Sequence, residues 1–171
     1  MKKTIMVSIL AFVLLIGLGP VLTQAGAETM NIKLVSMIEK VEMVKVTGVE
    51  GVVIGVMDRK GLGLFENGDI ATMACRGTFD TKKTFQGYSS LTFEDGSTIV
   101  MSWKGNLSRS PATAKFREYT GTFEYAKGTG RFEGIKGSGT LTAKSPNWDK
   151  DYKAKGFTYF YFAGTYTLAS K

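Results

Sequence analysis

Five glycines lie within residues 125–141, YAKGTGRFEGIKGSGTL. A glycine cluster of this density is typical of phosphate-binding loops. A dinucleotide site needs the spacing G-x-G-x-x-G between a strand and a helix, because the helix N-terminus binds the pyrophosphate. Gly128 and Gly130 are followed by Gly134, one residue too far, and a Walker loop would need Gly-Lys-Ser/Thr where Gly130 precedes Arg131. We therefore assign these glycines to turns, bends and close strand contacts: Gly128, Gly130, Gly134, Gly137 and Gly139.

Histidine and paired cysteines are missing from the chain. The sequence contains no histidine and one cysteine, Cys75, which excludes Ser-His-Asp and Cys-His catalysis, His-ligated zinc and an intramolecular disulfide. We expect Cys75, in the strand-like IATMACRGTF, to be a buried and unreactive thiol. The DKD run at residues 149–151 lacks the remaining spacing of a calcium loop. The sequence predicts no metal and no cofactor.

The acidic residues are the first candidates for catalysis. A carboxylate that faces an apolar interior has a raised pKa suited to proton transfer. Alternation along a strand favours the other interpretation, since Glu124 between Phe123 and Tyr125 would face water. No paired spacing suggests an acid–base couple, so no catalytic residue is assigned and enzymatic activity stays open. The glutamates considered are Glu39, Glu42, Glu118, Glu124 and Glu133.

Aromatic residues are the candidates for lining a ligand cavity, with tyrosine hydroxyls to orient the polar end of a ligand. The alternative is that they fill a core and form a subunit interface. Trp148, between Pro, Asn and Asp in a polar stretch, is predicted to anchor a loop, with a lid over a cavity as the alternative. The cavity candidates are Trp103, Tyr119, Phe123, Tyr125, Tyr159 and Tyr161.

The elements that must position these residues are predicted to be strands. Short runs rich in Val, Ile, Thr, Phe and Tyr are divided by glycine turns, which is typical of an all-β domain. Residues 87–105 predict a hairpin with a two-residue type I′ turn at Asp95-Gly96, and Asn67-Gly68 predicts a second turn of that kind. A third hairpin is expected around 127–130. Residues 31–47 have some helix-forming composition, but their valines favour a strand.

About eight strands in neighbouring hairpins predict a closed antiparallel barrel, because closure removes the exposed edges of a meander. At this size the interior is filled by side chains or holds one small ligand. The last strand is aromatic on both faces, which is consistent either with a partner subunit covering its outer side or with a strand that crosses the most crowded region of the barrel.

The N-terminus has the pattern of a signal peptide over residues 1–27. Lys2 and Lys3 precede the uncharged apolar stretch 4–22, and Ala25 and Ala27 fit a small-residue cleavage site. Cleavage would leave a single domain, residues 28–171, that is periplasmic or secreted and has no stable membrane anchor. An uncleaved anchor is the alternative. The formal charge of +7 is spread along the chain, and we expect no nucleic-acid binding.

The run GTFEYAKGTGRFEGIKGSGTL, residues 121–141, resembles the glycine-rich hairpin of the allene oxide cyclase-like barrels, which are relatives of the plant cyclases and the dirigent proteins. The chain would be an exported bacterial member. The resemblance extends plausibly over residues 77–168 and implies an eight-stranded antiparallel barrel with a mainly apolar cavity, often in a homotrimer. Its matching residues are structural glycines, so it implies no catalytic position.

Three functions are consistent with the sequence. The favoured one is an exported barrel that binds a small apolar ligand, which predicts a roomy aromatic-lined cavity without a buried acid. A structural or assembly barrel predicts an interior filled by its own side chains. A cyclase or isomerase predicts the cavity together with at least one inward Glu, Asp or Tyr near its floor.

Overall fold

The structure is a computed structural model that describes residues 26–81, 83–108, 116–146 and 157–169. The described residues form eight strands and one short 3-10 helix between β6 and β7, Gly130–Phe132. The strands are Glu28–Lys45 (β1), Val53–Phe65 (β2), Ile70–Asp80 (β3), Thr84–Phe93 (β4), Thr98–Leu107 (β5), Phe116–Thr129 (β6), Lys136–Pro146 (β7) and Thr158–Thr167 (β8).

The strands form one closed barrel. Each strand pairs antiparallel with the next, and β1 pairs with β8 from Glu28↔Tyr166 to Ser36↔Thr158, so no edge of the described sheet is left unpaired. The predicted all-β closed barrel is confirmed, as is a strand over most of residues 31–47. No helix in the described ranges is long and apolar enough to cross a membrane.

Several sequence predictions fall on parts of the chain outside the described residues. They include most of the predicted signal peptide (residues 1–25), the DKD run and Trp148. The proposed domain boundary after residue 27 stays a prediction, with β1 beginning at Glu28.

The β4–β5 hairpin has the predicted faces but a different turn. Leu91, Phe93 and Ile99 are buried on one face. The predicted two-residue type I′ turn is wrong: Gly96 has a positive φ of 79° while Asp95 does not, and the Phe93 N–H donates to the Ser97 carbonyl at 3.0 Å. A two-residue turn would place odd-numbered residues opposite even-numbered ones. The three-residue loop 94–96 keeps odd opposite odd, so both apolar rows face inward.

The turn after β2 is built in the same way. Gly68 has a positive φ of 89°, and the Phe65 N–H donates to the Asp69 carbonyl at 3.0 Å. The connecting loop is therefore residues 66–68 rather than the two residues Asn67-Gly68.

The glycine-rich hairpin turns later than predicted. Gly128 belongs to β6, and the chain reverses through the 3-10 helix before β7. Gly130 and Gly134 have positive φ values of 60° and 72°, which other residues rarely adopt. Gly128 and Gly139 are needed for space, because a Cβ at either position would overlap a backbone carbonyl oxygen of a neighbouring segment. These positive φ values and close backbone contacts are consistent with the structural role predicted for the glycines.

One end of the barrel is closed by packed side chains and an arginine. The Arg131 guanidinium lies 4.6 Å from the Phe93 ring centroid and 5.0 Å from that of Phe132. Its Nη2 is 2.5 Å from the Asp69 carboxylate, and its Nε is 3.5 Å from that of Asp95. Arg131 thus links the 3-10 helix to the loops after β2 and β4.

Candidate functional site

The barrel encloses a cavity of about 580 Å³ toward its other end. That end is formed by the ends of β3 and β5 and the starts of β4, β6 and β8, whose residues line the cavity mouth. The volume falls within the range of small-molecule sites. The barrel is therefore only partly filled by its own side chains.

Inward-facing apolar residues form most of the cavity wall. They come from alternate positions of several strands, because successive side chains of a strand point to opposite faces. The aromatic and sulfur-containing members are Met57, Met73, Cys75, Phe79, Phe85, Trp103, Tyr119, Phe160 and Phe162, and Leu34, Leu107 and Leu141 complete the apolar wall.

Arg59 is the unexpected member of this wall. It lies in the middle of β2, points inward and is only 5% exposed. Its Nη1 donates to Thr158 Oγ1 at 2.8 Å and to Ser36 Oγ at 3.3 Å, and its Nε donates to Met57 Sδ at 3.2 Å. The guanidinium carbon is 5.7 Å from the Phe160 ring centroid. Among the described residues no carboxylate forms an ion pair with Arg59.

A cluster of buried hydroxyls holds one side of the Arg59 guanidinium. Ser36, Ser145 and Thr158 are at most 3% exposed. The Thr158 hydroxyl donates to Ser145 Oγ at 3.2 Å, and the Ser145 hydroxyl donates to the Pro146 carbonyl at 3.2 Å. These bonds join β7 and β8 to the Arg59 side chain of β2, which fixes its position in the cavity wall.

The ionisable neighbours of Arg59 are neutral groups. Burial lowers the pKa of Arg59, and electrostatic interactions with the Cys75 thiol and the Tyr119 phenol act on this pKa in the opposite direction. Burial raises the pKa of Cys75 and also the pKa of Tyr119, so both stay protonated at neutral pH. Neither group supplies a negative charge to balance the guanidinium.

Charged groups of both signs lie at the cavity mouth. Asp80, Lys83 and Arg117 line the cavity near the ends of their strands. The Asp80 carboxylate accepts hydrogen bonds from the Thr84 N–H at 3.0 Å and the Thr84 hydroxyl at 2.9 Å. The mouth is therefore polar, and Arg59, in the middle of β2, lies between the buried hydroxyls described above and apolar side chains.

Paired glycines let large rings pack against the inner surface of the sheet. Gly77 and Gly87 are opposite each other on β3 and β4, and a Cβ at either would overlap the Trp103 indole. The indole N–H donates to Ser89 Oγ at 2.9 Å, which orients this ring at the cavity wall. A side chain at either glycine would push Trp103 into the cavity and reduce its volume.

The structure places two of the six predicted cavity residues in the cavity wall, Trp103 and Tyr119. Phe123 and Tyr125 point inward but pack in the core away from the cavity, with ring centroids 5.3 Å apart. Burial raises the pKa of the Tyr125 phenol, whose buried oxygen has no hydrogen-bond partner among the described residues. These two aromatics therefore contribute to the filled part of the barrel.

The other two candidates face away from the cavity. Tyr159 and Tyr161 are 57% and 41% exposed on the outer face of β8, and Phe160 and Phe162 line the cavity instead. Because β8 is aromatic at consecutive positions, its sequence pattern does not decide which set faces inward. Pairing with β1 decides it, because Phe160 lies opposite the buried Leu34 and Phe162 opposite the buried Ile32.

The acidic candidates all face solvent. Each of the five is exposed, as alternation predicts: Glu39, Glu42, Glu118, Glu124 and Glu133. Among the described residues, no group of three or more His, Cys, Asp or Glu side chains is arranged to hold a metal ion. The cavity residues available for chemistry are thus the Arg59 guanidinium, a thiol, a phenol and several hydroxyls, together with Asp80, Lys83 and Arg117 at the mouth.

The sequence reasoning missed Arg59 and the inward pair Phe160 and Phe162. A usable signal for Arg59 was its spacing from Met57 and Gly61, which places all three on one face of β2. The neighbouring Asp58 and Lys60 make the segment resemble a polar run, and that obscures the alternation.

No protein-family model and no curated protein matches this chain. The chain is similar to the solved structures of two pterocarpan synthase dirigent proteins. GePTS1 is 11% identical over 85% of this chain and 88% of its own, with a TM-score of 0.47. PsPTS1 is 13% identical over 85% of this chain and 97% of its own, with a TM-score of 0.45. The closed eight-stranded antiparallel barrel is the fold that the resemblance in residues 121–141 implies.

Proposed function

We propose that this protein is an exported barrel that binds one small, mainly apolar molecule in its cavity. The observation that supports this most strongly is the cavity of about 580 Å³ in a barrel of which the rest is tightly packed. Large apolar cavities leave side chains without packing partners, and each such void costs stability. A void of this size is understandable if a ligand fills it.

The structural alternative is less consistent with this arrangement, since it requires an interior filled by side chains. The cyclase or isomerase alternative is supported by one observation, the inward phenol of Tyr119 in the cavity wall. Burial raises the pKa of Tyr119, which makes it a weak acid rather than a base at neutral pH. Binding therefore remains the primary proposal.

The binding proposal can be tested with N-phenylnaphthylamine, an uncharged probe whose fluorescence rises in apolar surroundings. Wild-type protein should bind this probe with a stoichiometry of about one per chain. Cys75→Phe should abolish binding, because Cys75 lines the cavity and a phenyl ring there would occupy it. Ala74→Phe is the matched control, since Ala74 is the adjacent, exposed residue of β3.

Equal probe binding by the two variants would contradict the proposal. If filling the cavity with a phenyl ring does not weaken probe binding, the probe binds outside the cavity. Circular dichroism and thermal unfolding of both variants establish that each is folded. The phenyl ring of Cys75→Phe enters an existing void, so we expect a stability change below about 1.5 kcal/mol.

Export and self-association are further parts of this proposal. Export is supported by the signal-peptide pattern of residues 1–27.

For self-association with further copies of this chain, the relevant surface is the outer face of β8, β1 and β2, where exposed apolar side chains adjoin. Native mass spectrometry would report a homo-oligomer such as a trimer, and a monomer at all concentrations would contradict this part. The exposed residues are Met37, Leu62, Leu64, Tyr159 and Tyr161.

A further inference from the structure

Arg59 places a permanent positive charge in the cavity wall, beside a cluster of buried hydroxyls and several apolar side chains. Arginine stays protonated in proteins, and a buried charge is costly unless it is paired and hydrogen-bonded. The Arg59 side chain is 5% exposed, and its described hydrogen-bond partners are two hydroxyls and a thioether. Some of the N–H donors of Arg59 thus have hydrogen-bond partners, while no described residue supplies a negative charge to balance the guanidinium.

We propose that Arg59 binds the negatively charged group of the cavity ligand, and that this ligand is a monocarboxylic acid with an apolar body. This inference rests on the cavity-binding function proposed above and specifies the class of molecule bound. The carboxylate would supply the countercharge that the described residues lack.

The hydrogen bonds of Arg59 leave suitable donors for such a group. A guanidinium carries five N–H donors in a rigid fork. Nε and Nη1 bond to Met57, Ser36 and Thr158, which hold the group in place. No described residue accepts a hydrogen bond from Nη2, so its two N–H groups are free to donate to a carboxylate.

The charge balance favours a singly charged group. Arg59 is the only cation described among the mid-strand cavity residues, since Lys83 and Arg117 lie at the mouth with Asp80. A phosphate monoester carries about −1.5 to −2 charges at neutral pH and would leave part of its charge unbalanced in the apolar interior. The surrounding side chains, including Leu34, Met57 and Phe160, would contact an apolar body.

The first test compares decanoic acid with decanol as competitors of N-phenylnaphthylamine on the wild-type full-length protein. At neutral pH the acid should bind about ten- to a hundredfold more tightly, the size expected for a buried charge-assisted hydrogen bond. This advantage should disappear as the pH falls below about 4–5, where carboxylic acids become protonated. Decanol should show no such pH dependence. Equal affinities at neutral pH would overturn the inference.

The second test assigns the effect to Arg59. In Arg59→Met the affinity for decanoic acid relative to decanol should fall to about one, and this ratio is the readout because the substitution itself alters the cavity wall. Lys60→Met removes a positive charge from the adjacent, outward-facing position of β2, where Lys60 pairs with Glu39, and should keep the preference. A preference that persists in Arg59→Met would overturn the assignment.

The failure modes are distinguishable. Should the probe, the alcohol and the acid all fail to bind, the cavity-binding function itself would be refuted, and this inference with it. Should the probe and the alcohol bind while the acid has no advantage, only the role of Arg59 would be refuted. The wild-type comparison and its pH series decide whether the cavity prefers an acid even if Arg59→Met does not fold, and Arg59→Gln then takes its place in the second test.

Discussion

Replacing Arg59 by methionine is predicted to stabilise the protein without ligand. The change removes a buried guanidinium whose desolvation costs several kcal/mol. It also removes one good hydrogen bond, to Thr158 at 2.8 Å, and two long ones, to Ser36 at 3.3 Å and Met57 at 3.2 Å. Thr158 keeps its hydrogen bond to Ser145, whereas the Ser36 hydroxyl, which is fully buried, loses the only hydrogen bond described for it, at a cost of about 1–3 kcal/mol.

The balance of these contributions favours the methionine variant. The bond to Thr158 accounts for about 1.5–3 kcal/mol, which is less than the desolvation cost. A methionine side chain also adds apolar contacts in place of the charge. With the unsatisfied Ser36 hydroxyl included, we expect the free energy of unfolding to rise by up to about 2 kcal/mol, with Tm higher by about 2–4 °C for each kcal/mol.

Urea and thermal unfolding of ligand-free protein measure this change. Lys60→Met is the control and should change the unfolding free energy by less than about 0.5 kcal/mol, because its ion pair with Glu39 is exposed. A loss of more than about 1 kcal/mol in Arg59→Met would refute the reasoning. It would show that Arg59 supports the barrel through its hydroxyl contacts, rather than being kept at a cost to stability for binding.

Three further predictions concern the barrel itself. Gly121→Ala should lower the free energy of unfolding by about 1–3 kcal/mol in urea, because the added Cβ would overlap a backbone carbonyl of β5; an unchanged midpoint would contradict this. Burial and the hydrogen bond to Glu28 raise the pKa of Tyr166 from 10.0 to about 12. The folded state therefore holds the phenol proton more tightly than the unfolded state, and the stability that this contributes is lost as pH rises from 10 to about 12. Tyr166→Phe should lose less stability over this pH range in thermal unfolding scans. Identical pH profiles for the variant and the wild type would contradict this prediction. Arg131→Gln should lower the free energy of unfolding by about 1 kcal/mol at low salt, with a correspondingly lower Tm. The loss should be smaller at high salt, because salt screens the partly exposed ion pair between Arg131 and Asp69. A loss of the same size at both salt concentrations would contradict this prediction.

The strands were predictable because alternation is a direct consequence of strand geometry. Leu91, Phe93 and Ile99 repeat at every second position on either side of a glycine turn, and the structure buries all three. Closure of the barrel followed from the edges that an open meander leaves exposed, and the β1–β8 pairing supplies it. The exact turns were less predictable, because Asp-Gly and Asn-Gly also occur in three-residue loops.

The cavity was harder to predict from sequence. Its wall depends on which face of each strand turns inward and on where the packed core ends, and both are set by pairing between distant segments. On β8 the aromatic residues at 159–162 satisfy either phase, and only the register with β1 places Phe160 and Phe162 inside. Arg59 was missed because a charged residue between Asp58 and Lys60 is usually solvated.

A crystal structure of the wild-type protein grown with decanoic acid would show directly whether the cavity binds an apolar acid with its carboxylate on Arg59. We expect a single bound acid inside the barrel, with a carboxylate oxygen within hydrogen-bonding distance of Arg59 Nη2 and the alkyl chain along Leu34, Met73 and Phe160. An empty cavity under saturating acid, or an acid bound with its carboxylate at the mouth beside Lys83, would contradict the claim.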